Sequence, residues 1–90
     1  MNQSDDAYKS FERPITFSCI VNGKLLNATI LGKDESSKEY AYKVSFSDGF
    51  TAMFVHTKSG WIVEKKGGER YVDAIDTRLD NFLRNSRKNT

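Results

Sequence analysis

The stretch YAYKVSFSDGFTAMFVHT, residues 40–57, decides the fold. Tyr40, Tyr42, Val44 and Phe46 fall at every second position with Ala41, Lys43, Ser45 and Ser47 between them, and only an extended strand turns that period into one ring-rich face and one small, polar face. Asp48-Gly49 is a reversal dipeptide, after which Phe50, Ala52 and Phe54 alternate with Met53 and Val55. The stretch therefore reads as two adjacent antiparallel strands, and its row of large rings puts the first of them over the core.

Working toward the N-terminus, the same period recurs twice. Ile15, Phe17, Cys19 and Val21 alternate, Asn22-Gly23 supplies two residues tolerant of positive φ, and Leu26, Ala28 and Ile30 return on one face as far as Gly32. Residues 33–38, charged and small, read as a solvated connection to the ring-rich strand. Toward the C-terminus, Lys58-Ser59-Gly60 makes another turn and Trp61, Ile62 and Val63 form a short fifth strand. Beyond Gly67-Gly68 the period lengthens to that of a helix. Tyr71, Val72, Ile75, Leu79, Phe82 and Leu83 make one apolar stripe over residues 70–85, with acids early and Arg84, Arg87 and Lys88 late, as a helix dipole favours.

These elements predict an α+β domain, a five-stranded antiparallel meander over residues 14–66 with one C-terminal amphipathic helix packed on one face. We expect residues 1–13 to be a flexible lead-in, 14–85 the single folded domain, and 86–90 a disordered basic tail. Five strands about 4.8 Å apart make a sheet roughly 20 Å wide, whereas a helix with its side chains covers about 10–12 Å. The expectation is that the sheet curls around the helix or uses another chain to cover its apolar surface.

Composition narrows the function classes. The chain has 90 residues, 38% of them apolar, with 14 Lys and Arg against 12 Asp and Glu, so its surplus charge of +2 is too small for a nucleic-acid protein recognised by charge alone. No apolar run approaches the roughly 20 residues of a membrane span, and the polar start MNQSDDAYKS lacks a signal peptide's pattern. Cys19 is the only cysteine, which excludes an internal disulfide and makes the cytoplasm the expected compartment. Asn27-Ala28-Thr29 matches a glycosylation acceptor but sits inside an expected strand.

No catalytic constellation stands out. His56 is the only imidazole, so multi-histidine zinc ligation is impossible, and Cys19 shares phase with Phe17 and Val21, which reads as a packed thiol more readily than as a nucleophile paired with His56. Asp73, Asp76 and Asp80 recur at helical spacing, as a solvated helix face also produces, and we assign them no metal and the chain no cofactor. Lys65, Lys66 and Arg70 surround the glycines before the helix and are the candidate anion-binding residues, without either phosphate-loop spacing.

The helix-free face gives the leading expectation. If Phe17, Ala28, Tyr42, Phe54 and Val63 look at the helix, alternation sends Ile20, Leu25 or Leu31, Met53, Val55 and Ile62 to the other side, among Thr16, Ser18, Thr29, Lys43, Ser45, Thr51 and Glu64. A half-apolar face suits an interface. We therefore read the chain as a small non-catalytic binding or structural domain that self-associates as a homodimer, or binds a protein partner, through Ile20, Leu31, Met53, Val55 and Ile62. The alternatives are a module for single-stranded nucleic acid or a small anionic ligand, disfavoured because the rings share phase with the core and the basic residues are scattered, and an enzyme, which the residues support least.

Overall fold

A computed structural model describes residues 8–34 and 40–88, the last three by backbone alone. In chain order the elements are β1 (Tyr8–Val21), β2 (Lys24–Asp34), β3 (Ala41–Phe46), β4 (Thr51–Thr57), β5 (Gly60–Val63) and α1 (Glu69–Lys88). The strands form one antiparallel sheet in the order β1-β2-β3-β4-β5, the meander expected from the alternation.

Local chemistry sets each reversal. Asn22 and Gly23 both take positive φ, 53° and 82°, and close the β1–β2 hairpin so that Val21 faces Lys24 and Ile20 faces Leu25. At the β3–β4 turn the Asp48 carboxylate accepts the Phe50 N–H at 3.0 Å, and the Phe46 N–H donates to the Phe50 carbonyl at 2.8 Å. The Thr57 hydroxyl, donating to the Gly60 carbonyl at 2.8 Å, holds the β4–β5 turn.

β1 begins at Tyr8, well before Ile15, so the strand takes in residues 8–13 as well. The alternation hid this because the register breaks between Ser10 and Ile15, around Pro14, which has no N–H to give a ladder. A second irregularity sets Leu31 and Gly32 opposite Lys43 alone. Residues 1–7, 35–39 and 89–90, which include much of the expected lead-in, connection and tail, lie outside the described residues.

The core lies between sheet and helix. Ala28, Ile30, Val44, Phe54, Ile75 and Leu79 are at most 1% exposed, and Cys19, Val21, Tyr42, Phe46, Ala52, Trp61 and Leu83 complete the cluster. Ile75, Leu79 and Leu83 repeat at four-residue spacing, so one stripe of α1 enters the core.

The expected curl is absent. The sheet is not strongly curled, and β1 and β5 remain its two separate edges. Rings cover the width that the helix leaves. On one flank Tyr71 stacks on Phe50 at 4.0 Å and meets Phe46 edge-on at 4.7 Å, and on the other Phe82 packs against Tyr42 at 5.1 Å and Phe11 at 5.8 Å. Side chains that reach sideways from a 10–12 Å helix make strong curvature unnecessary, and ordinary strand twist lets α1 pack against both β1 and β5.

Candidate functional site

Pairing orders the helix-free face into rows. Thr16, Thr29, Ser45 and Thr51 lie side by side across β1, β2, β3 and β4. Thr16 and Thr29 share a hydrogen bond of 2.8 Å, and the Thr51 hydroxyl donates to Ser45 at 3.2 Å. In the adjoining row the Asn27 N–H donates to the Ser47 hydroxyl at 3.0 Å and the Ser18 hydroxyl to the Asn27 side chain at 3.5 Å. Each hydroxyl pair uses one O–H and leaves the other without an acceptor among the described residues, so the row keeps donors that a covering surface has to meet.

Apolar side chains occupy two opposite corners. Ile20 and Leu25, directly paired at the β1–β2 tip, are 65% and 73% exposed. Diagonally opposite, Ala41, Val55 and Ile62 form one cross-strand row in which Ile62 is half exposed and the other two are buried. Met53, next to that row, is half-buried beside Lys43, and Leu31 is half-buried at the β2 irregularity. The five residues expected on this face are thus divided. Ile20 marks one corner, Val55 and Ile62 with Met53 mark the other, and Leu31 lies at the bulge.

Tyr8 belongs to this face and escaped the sequence reading. Gly32 has no side chain, and the Tyr8 hydroxyl occupies that space 2.7 Å from where a Cβ would stand, while Lys43 sits over the Tyr8 ring at 5.4 Å. The only sequence signal is a glycine inside an alternating strand, which marks close approach without naming what approaches.

The candidate anion residues do not converge. Lys65 donates to the Thr51 carbonyl at 3.1 Å with its ammonium over the Phe50 ring at 4.9 Å, Lys66 is exposed, and Arg70 borders a shallow cleft that it shares with Asp73. The helix start holds a different contact. Tyr71 donates its hydroxyl to Asp48 at 2.6 Å, tying α1 to the β3–β4 turn. That bond, helped by the Phe50 N–H, holds the Asp48 carboxyl below its ordinary 3.8 and pushes the Tyr71 phenol above 10.0.

Cys19 is buried on β1, and desolvation raises its thiol above the ordinary 9.0, partly offset by the Arg78 charge. His56 stands on β4 against Trp61 at 4.9 Å, and two strands separate β4 from β1, a gap of roughly 14 Å. A nucleophile and base need hydrogen-bond reach, so this pair cannot act together. Asp80 accepts the Trp61 indole N–H at 2.7 Å, which couples β5 to α1, and no group of three or more metal-ligating side chains gathers among the described residues.

No helix among the described residues is long and apolar enough to cross a membrane. No family model matches the chain, and no curated protein or solved structure shows significant similarity to it.

Proposed function

We propose that this protein is a non-catalytic interaction domain that associates with a second copy of itself through the helix-free sheet face. The observation that carries the reading is the diagonal placement of the two apolar corners about a row of hydroxyls that retain O–H donors for a second copy of the same row. Leu25 is four residues from Thr29 along β2, and Val55 is four residues from Thr51 along β4, so each corner lies about 13 Å along its strand from the row. A two-fold axis between the two faces, over the middle of the row and perpendicular to the diagonal, brings Ile20 and Leu25 of one copy onto the Ile62 corner of the other, twice, with the hydroxyl rows crossing at the axis. That self-complementarity is what an isologous dimer requires.

The nucleic-acid reading has less support. Stacking on bases needs exposed rings, whereas Tyr42, Phe46, Phe54 and Trp61 are buried and Tyr40 is the only large aromatic exposed among the described residues. The lone Cys19 supports a cytoplasmic setting for the domain.

The test is sedimentation equilibrium over a concentration series. We expect a reversible dimer that Leu25→Lys and Ile62→Glu each weaken at least about tenfold, because each charge is desolvated against an apolar corner. Mixing the two variants should give a heterodimer, since the new charges then face each other. A wild-type chain that is monomeric at several hundred micromolar, or a mixture that stays monomeric, rejects the arrangement.

A further inference from the structure

On the opposite side of the molecule, a groove of about 440 Å³ runs between β1 and the second half of α1. Its floor is Ile15, Phe17, Ile30 and Phe82, and Ile15 remains 45% exposed there despite lying on the helix-facing side. Arg78, Asn81 and Asn85 line its helix wall, at spacings of three and four that align them along one side of α1.

The charge arrangement is specific. Arg78 lies over the Phe17 ring at 5.1 Å, and among the described residues no carboxylate pairs with it. No acidic residue lines the groove, and Asn81 and Asn85 add carboxamide N–H donors beside the guanidinium. One fixed cation, two neutral donors and an apolar floor match an anion of single charge with an aliphatic body. The geometry points to a binding site for a small amphipathic carboxylate, its carboxylate on Arg78 with Asn81 and Asn85 at hand, its chain over Ile15, Phe17 and Phe82. A guanidinium fork suits a carboxylate in two parallel hydrogen bonds, whereas a phosphate dianion calls for more positive charge than one arginine provides. Thr16 borders both the groove and the hydroxyl row, but the carboxylate contacts at Arg78, Asn81 and Asn85 and the dimer corners at Leu25 and Ile62 are separate residues, so one can fail without the other.

The test is an NMR titration with octanoate at constant ionic strength, with 1-octanol as an apolar probe of equal chain length. We expect saturable shifts at the Arg78 Nε–H, the Asn81 and Asn85 side-chain amides and the Ile15 methyls, with octanol at least about tenfold weaker. Arg78→Gln, a change at an exposed position, should weaken octanoate about tenfold and leave octanol unchanged. Equal binding of the two probes, shifts centred on Leu25 and Ile62, or no saturable shift at millimolar octanoate each overturn the assignment.

Discussion

The contact between Tyr71 and Asp48 is best dissected with two substitutions, Tyr71→Phe and Tyr71→Ala. The first removes one charge-assisted hydrogen bond of 2.6 Å while keeping the ring stacked on Phe50 at 4.0 Å and edge-on to Phe46 at 4.7 Å. Both bonded groups touch water, and Asp48 keeps its bond from the Phe50 N–H, so the expected loss is about 1 kcal/mol at neutral pH. Tyr71→Ala also removes the ring that fills one flank of the helix; because Tyr71 is half-buried, roughly 2–3 kcal/mol is expected, at or just below the low end for truncating a fully buried aromatic.

The pH dependence separates the hydroxyl from the ring. Asp48 has its folded pKa lowered from 3.8, so its contribution is present above that value and is lost as pH falls through the folded pKa. Tyr71 has its folded pKa raised from 10.0, so its contribution is present below 10.0 and is lost as pH rises through the folded pKa. The stability difference between wild type and Tyr71→Phe, measured by urea unfolding followed by circular dichroism, should therefore be flat between about pH 5 and pH 9 and shrink at both extremes. The Tyr71→Ala difference should retain its ring-packing part throughout. A Tyr71→Phe loss that persists undiminished at the acid extreme, or that equals the Tyr71→Ala loss at pH 7, refutes this account of the clamp.

Two other tests probe the sheet itself. Gly32→Ala places a methyl against the Lys9 carbonyl and 2.7 Å from the Tyr8 hydroxyl, and should destabilise by about 3 kcal/mol in urea unfolding. Adding Tyr8→Ala should recover only part of that, because the backbone contact remains; a change within about 0.5 kcal/mol for the single variant contradicts the close approach. Cys19, buried with a raised pKa, should react with a neutral disulfide reagent at least about a hundredfold more slowly in the folded chain than in denaturant, and rapid native labelling at pH 7 contradicts its burial.

The alternation in residues 40–57 translated directly into β3 and β4 because period two needs no information from elsewhere in the chain: Tyr42, Val44, Phe46, Ala52 and Phe54 are buried on the helix side. The start of β1 was not legible, since Pro14 and the register break interrupt the pattern that would have signalled residues 8–13. Nor was the pairing of Tyr71 with Asp48, 23 residues apart, or of Trp61 with Asp80, 19 apart. Each of those residues reads as an ordinary turn or surface position until the helix is laid on the sheet. Of the candidate face, alternation suggested Ile20, Leu31, Met53, Val55 and Ile62, but not that Val55 is buried, that Leu31 lies at a bulge or that the exposed members stand at two corners.

The amino-acid sequence by itself determined the order of strands, two reversal dipeptides and the buried stripe of α1, since dihedral preference and side-chain period act within a few residues. Only the tertiary structure decided that the sheet remains open. That outcome depends on whether Phe11, Phe50, Tyr71 and Phe82 reach far enough sideways to cover what the helix does not, and distance across a sheet is set by packing among segments that are remote along the chain.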